Sequence, residues 1–183
     1  MSGGRFFAYW MTAFLGFPLG GLLAILVVGS IDGVIPATLA GALAGSVIGA
    51  AQWLTVRGRL EVGPAWIPAT ALGLALGGAV GAALTGAGTS LGALLVSGLA
   101  AGAAVGTSQW TVLARHAPAA ERGVLLAWPA VVAVAWPLGW LATWSVGVDV
   151  ERGYAVFGAS GALVFAALTG TALLILTRRW PGH

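Results

Sequence analysis

Six apolar stretches, each without a single Asp, Glu, Lys, Arg or His, restrict this chain more than any other feature of its sequence. They cover approximately residues 6–28, 34–56, 66–85, 91–113, 124–146 and 154–177. A helix rises ~1.5 Å per residue, so about 20 apolar residues cross the ~30 Å hydrocarbon layer of a bilayer. Water cannot be the outer solvent of such a chain. Charged residues make up 7% of it and apolar residues 59%, and eight Arg, five acids and no Lys are too few to cover a soluble surface of 183 residues. The expected fold is therefore all-α: a polytopic membrane bundle of six transmembrane helices in a single domain. The first stretch is too long for the apolar region of a signal peptide and no small-residue cleavage site follows it, so it reads as an uncleaved span.

Orientation follows from the arginines, because short cytoplasmic loops retain Arg and Lys. Arg5 precedes the first span, Arg57 and Arg59 follow the second, Arg115 and Arg122 follow the fourth, and Arg178 and Arg179 follow the sixth. The other side holds Arg152 together with Asp32, Asp149 and Glu151. This bias predicts a multi-pass protein with both termini in the cytoplasm. Trp10, Trp53, Trp66, Trp110, Trp128, Trp144 and Trp180 lie near span ends, where an indole suits the headgroup layer, and are expected to form an interfacial belt.

The chain also repeats itself. A shift of 57 residues superposes Leu15 and Gly16 on Leu72 and Gly73, and Gly41, Gly45, Gly49, Gln52 and Trp53 on Gly98, Gly102, Gly106, Gln109 and Trp110. A third copy is fainter: Pro137, Leu138 and Gly139 echo Pro18, Leu19 and Gly20, while Leu173 and Leu174 replace the Gln-Trp pair. Three tandem hairpins are expected, at about 6–57, 65–114 and 123–178. Each enters and returns on the same side, so they should surround a pseudo-threefold axis along the membrane normal.

Gly41, Gly45 and Gly49 recur every four residues on one helix face, as do Gly98, Gly102 and Gly106, and Gly73, Gly77 and Gly81. Glycine-zipper faces of this kind let helix backbones approach closely, which matters in lipid because no hydrophobic force drives helices together there. Gln52 and Gln109 sit one turn beyond two of these stripes. An amide facing lipid would be costly, so both are expected to face protein, either as interhelical glue or as a pair that meets a polar headgroup or substrate at the mouth of a central cavity. Trp136, Trp140 and Trp144 follow i, i+4 spacing on the fifth span, whose Pro129 and Pro137 are expected to kink it. Such a stripe serves either bulky packing or the stacking of an apolar ligand such as a quinone, a carotenoid or a sterol-like lipid.

The inventory for chemistry is short. His116 and His183 lie outside the spans, no Cys is present, and no HExxH, Walker loop or nucleophile elbow occurs, so the chain is expected not to be an enzyme and to hold no metal. No ionisable group lies within a span to serve an ion pathway. The arginines are scattered rather than striped, which speaks against nucleic acid. No cofactor is expected, although the fold leaves room for a lipid or an apolar pigment.

The stretch Gln52-Trp53-Leu54-Thr55-Val56-Arg57 and its echo Gln109-Trp110-Thr111-Val112-Leu113 resemble a set of uncharacterised bacterial multi-pass membrane proteins, whose Gly-rich helices end in repeated Gln-Trp-Leu-x-Leu-Arg motifs. That resemblance covers two of the three hairpins. It implies a bacterial inner-membrane protein and brings no activity. The three-hairpin plan is also similar to that of mitochondrial carriers, but their Pro-x-acid-x-x-base motif is missing. Two roles are expected: an accessory or scaffold subunit packing against a larger membrane complex, a second copy or lipids, or a channel, carrier or binding protein for a neutral or apolar small molecule.

Overall fold

The computed structural model describes residues 2–60, 62–119, 122–147 and 157–178. Among these, six helices are long and apolar enough to cross a membrane: α1 (Gly3–Val28), α2 (Val34–Leu60), α3 (Trp66–Thr85), α4 (Leu91–His116), α5 (Val124–Ser145) and α6 (Ala159–Leu176). The chain is a multi-pass helical membrane protein. Positions 154–156 of the expected sixth span lie outside the described residues, as do Asp149, Glu151, Arg152, Arg179, Trp180 and His183.

Each helix packs on its neighbours in sequence, and α6 closes on α1, so the six form a ring in chain order. The glycines set the register. From Gly41 to Gly45 to Gly49 along α2, the nearest backbone on α3 moves back from Leu74 to Ala71 to Ile67, so the two helices run antiparallel. Gly73, Gly77 and Gly81 of α3 face Val105, Ala101 and Ser97 of α4 in the same manner, and Gly98, Gly102 and Gly106 of α4 face Pro137, Ala133 and Pro129 of α5. At the start of the ring, Gly16 and Gly20 of α1 meet Ala51 and Ala44 of α2. An up-and-down arrangement brings the helix ends carrying Arg5, Arg57, Arg59, Arg115, Arg122 and Arg178 to one end of the bundle.

Three local departures from the sequence reading have physical causes. A 3-10 turn at Ala13–Leu15 interrupts α1. Pro18 has no N–H to offer the carbonyl of Phe14, and the chain tightens just ahead of it. In α5, Pro129 lies in the first turn of the α-helical part (Ala127–Ser145), where a missing N–H costs no intrahelical bond, while Pro137 sits inside a helix that continues past it. Helices α2 and α4 run one turn further than their uncharged stretches, with Arg57, Arg59 and Arg115 in the last turns. There a cation complements the helix dipole and its stem reaches out from the apolar layer.

The outer surface is apolar on all six helices, with Leu26, Ile35, Leu72, Leu99, Val134 and Ile175 more than half exposed. A surface of this kind would aggregate in water and is what hydrocarbon requires.

Candidate functional site

Inside the ring, near the arginine end, four helices meet through one hydrogen-bonded cluster. Gln52 of α2 is 2% exposed and Gln109 of α4 is 1% exposed. Gln109 Nε2 donates to Gln52 Oε1 at 2.9 Å and to Thr70 Oγ1 of α3 at 3.0 Å. Gln52 Oε1 also accepts the indole N–H of Trp66 at 3.1 Å, Gln109 Oε1 accepts that of Trp128 on α5 at 3.2 Å, and the Thr70 hydroxyl donates to the carbonyl of Trp66 at 2.9 Å. The two amides therefore meet each other across the interior.

Trp66 and Trp128 are fully buried, which corrects their expected place in an interfacial belt; so is Trp10, whose Nε1 donates to Thr169 Oγ1 of α6 at 3.1 Å. All three stand near helix ends but turn inward. Their helical phase carried that information: Trp66 shares a face with Thr70, Gly73 and Gly77 at i, i+4, i+7 and i+11, and Trp128 shares one with Val132, Ala135 and Gly139. In going round the ring, each of the three donates to a side chain of the even-numbered helix before it: Thr169 on α6, Gln52 on α2 and Gln109 on α4. Where the third hairpin has Leu173 in place of Gln, the acceptor is Thr169, one turn away. Of the remaining belt residues, Trp53 is half-buried and donates to the carbonyl of Val62 at 3.1 Å, while Trp144 is 43% exposed.

Beyond the amides the interior is aromatic. Trp136 meets Phe17, Phe157 and Phe165 with ring centroids 5.8, 5.4 and 5.2 Å away, and Trp140 meets Phe157 edge-on at 5.7 Å. Gly139 has no side chain to hold Phe157 off: a Cβ there would stand 2.8 Å from the ring. Trp136 and Trp140 are buried, whereas Trp144 leaves the cluster. Each i, i+4 step advances about 40° around a helix, so two steps turn Trp144 by about 80° from Trp136. At the end of the ring opposite the arginines, a cavity of about 100 Å3 opens between α2, α3, α4 and α5, with Trp136 and Trp140 in its wall beside Gly41, Leu74, Ser97 and Thr89.

No protein-family model, curated protein or solved structure matches the chain.

The amide cluster makes a stability prediction. Gln109→Met keeps the length of the side chain but removes the acceptor of a buried indole N–H, and a buried donor left unpaired costs ~1–3 kcal/mol. Thermal unfolding in detergent should show a loss of about 2 kcal/mol, within that range. Trp128→Phe should then cost less in the Gln109→Met background than in the wild type, because the orphaned donor goes with it. Equal costs in the two backgrounds would mean that the indole and the amide are not coupled.

Proposed function

We propose that the chain is a non-enzymatic accessory or scaffold subunit of the bacterial inner membrane, with both termini on the cytoplasmic side and its three hairpins related by a pseudo-threefold axis. The observation that carries this reading is the filled interior. Trp10, Phe17, Trp66, Trp128, Trp136, Phe157 and Phe165 occupy the space a substrate path would need, and the amides between them bind one another. What remains for interaction is the outside, where every helix offers an apolar face to a membrane partner, a second copy or lipid. The arginines at one end support the orientation, and the three inward tryptophans, each donating to the preceding even-numbered helix, support the threefold relation.

The cavity beside Trp136 and Trp140 favours a second reading, a binding protein for an apolar ligand. Its volume of about 100 Å3 is smaller than the ~150 Å3 of an engineered cavity that admits benzene, so it fits a chain end or a small apolar group rather than a whole carotenoid. Native mass spectrometry after gentle detergent extraction separates the two readings. The scaffold reading expects a companion membrane subunit, or a second copy, at fixed stoichiometry. A lone polypeptide carrying one equivalent of an apolar ligand would overturn it in favour of the binder.

A further inference from the structure

At the arginine end, a groove of about 330 Å3 lies between the start of α1 and the last turn of α2, lined by Arg5, Tyr9, Leu54, Thr55, Arg57 and Gly58. We propose that this groove is a binding site for the phosphate headgroup of an acidic phospholipid, and that it selects such lipids from the leaflet around it. Two guanidiniums from different helices line one depression, and each can fork two N–H donors onto phosphate oxygens. The Arg57 guanidinium, itself exposed, lies 5.0 Å over the Trp53 ring, a contact that restrains it beside the groove. Its mouth is open: a Cβ on Gly58 would meet nothing within 4 Å.

The local charge has the required sign. Along the sequence these two helix ends carry Arg5, Arg57 and Arg59 against one acid, Glu61, and among the described residues the acidic side chain is Asp32, at the far end of the bundle. The walls distinguish a lipid from a free anion. Leu54 and Tyr9, both more than half exposed, give the groove an apolar flank one turn from the arginines, where glycerol and the first acyl methylenes of a lipid would lie. A free phosphate would find no use for that flank. Basic pockets between helices at the membrane surface recognise acidic headgroups through this combination of charge at the rim and apolar contact below it.

The test uses the full chain in nanodiscs of equal parts phosphatidylglycerol and phosphatidylcholine, with retained lipids counted by native mass spectrometry. Each arginine near an acidic surface is worth roughly fivefold, so the wild type, with two in the groove, should retain phosphatidylglycerol in preference by about 25-fold. Arg5→Gln with Arg57→Gln should abolish the preference, Arg5→Lys with Arg57→Lys should keep part of it, and Arg115→Gln with Arg122→Gln, which removes equal charge from the same end, should leave it intact. If the first double variant does not accumulate, Arg57→Gln alone carries the test, with an expected loss of about fivefold. Retained preference in the groove variants, or equal loss in both Gln pairs, overturns the site. Displacement of the lipid by millimolar inorganic phosphate alone overturns the assignment to a lipid and leaves an anion site.

Discussion

Replacing Gly102 by leucine is expected to prevent α4 from seating on α5. A Cβ at this position would run into the carbonyl of Val132 and stand 2.8 Å from the Cα of Ala133 and 2.9 Å from the Cβ of Trp136. All three atoms are backbone or fixed to it and cannot swing aside, so the helices must separate. Separation forfeits the close contact that holds helices together in lipid, where no hydrophobic force compensates. It also pulls Gln109, on the same helix, away from Trp128. The expected loss is at or above ~3 kcal/mol, the upper end for overpacked cores, with a matching fall in folded yield. Gly45→Leu should act in the same direction, since its Cβ would stand 2.8 Å from the Cα of Ala71 and 2.9 Å from the carbonyl oxygen of Thr70. Gly92 provides the control within α4: nothing lies within 4 Å of a Cβ placed there, so Gly92→Leu should change the midpoint of thermal unfolding little. Equal behaviour of Gly92→Leu and Gly102→Leu would refute the interface.

These glycines also show what could and could not be read from the chain. The six spans were legible because lipid imposes a run of uncharged residues and lets a helix satisfy its own backbone, which leaves few alternatives. The stripes were legible as faces, since spacing fixes phase. Their partners were not, because a glycine has no side chain to declare what it approaches, and only the fold shows that each stripe meets the next helix in sequence. The Gln pair was found through repetition, and its two members do bond to each other across 57 residues. Nearness to a span end suggests the interface for Trp66 and Trp128, whereas helical phase, which sets the direction a side chain faces, turns both inward. They do not fall on the 57-residue shift from Trp10, so repetition could not expose them as a set. Thr70 and Thr169 carry no signal along the chain, since a Thr in a membrane helix commonly returns its hydroxyl to its own backbone, and both do so while also accepting from a distant residue. The lining of the groove at Arg5 and Arg57 comes from two helices and has no signature along the chain.

Trp136→Ala should be among the most damaging truncations in the molecule and Trp144→Ala among the mildest, although both residues belong to one i, i+4 row. Trp136 is 1% exposed and touches three other aromatic rings contributed by α1, by α6 and by the residue just ahead of α6. Its removal would leave Phe17, Phe157 and Phe165 facing a void and would enlarge the neighbouring cavity. The backbone cannot collapse into that space, because Gly102 and Gly139 already bring α4 and Phe157 as close to α5 as contact allows. Truncation of a buried Trp costs ~3–5 kcal/mol, and a site that cannot collapse belongs at the upper part of that range. Trp136→Phe, which keeps one ring among the four, should recover about half of the loss, as expected when the cost follows the volume left empty. Trp144, 43% exposed, loses lipid or headgroup contact when shortened, and its effect should stay within ~1 kcal/mol, as for surface positions. Thermal unfolding of the three variants in one detergent decides the matter. A stripe built to stack an apolar ligand predicts the opposite ranking in the ligand-free protein: its rings would be spare until occupied, and Trp136→Ala would then unfold no earlier than Trp144→Ala.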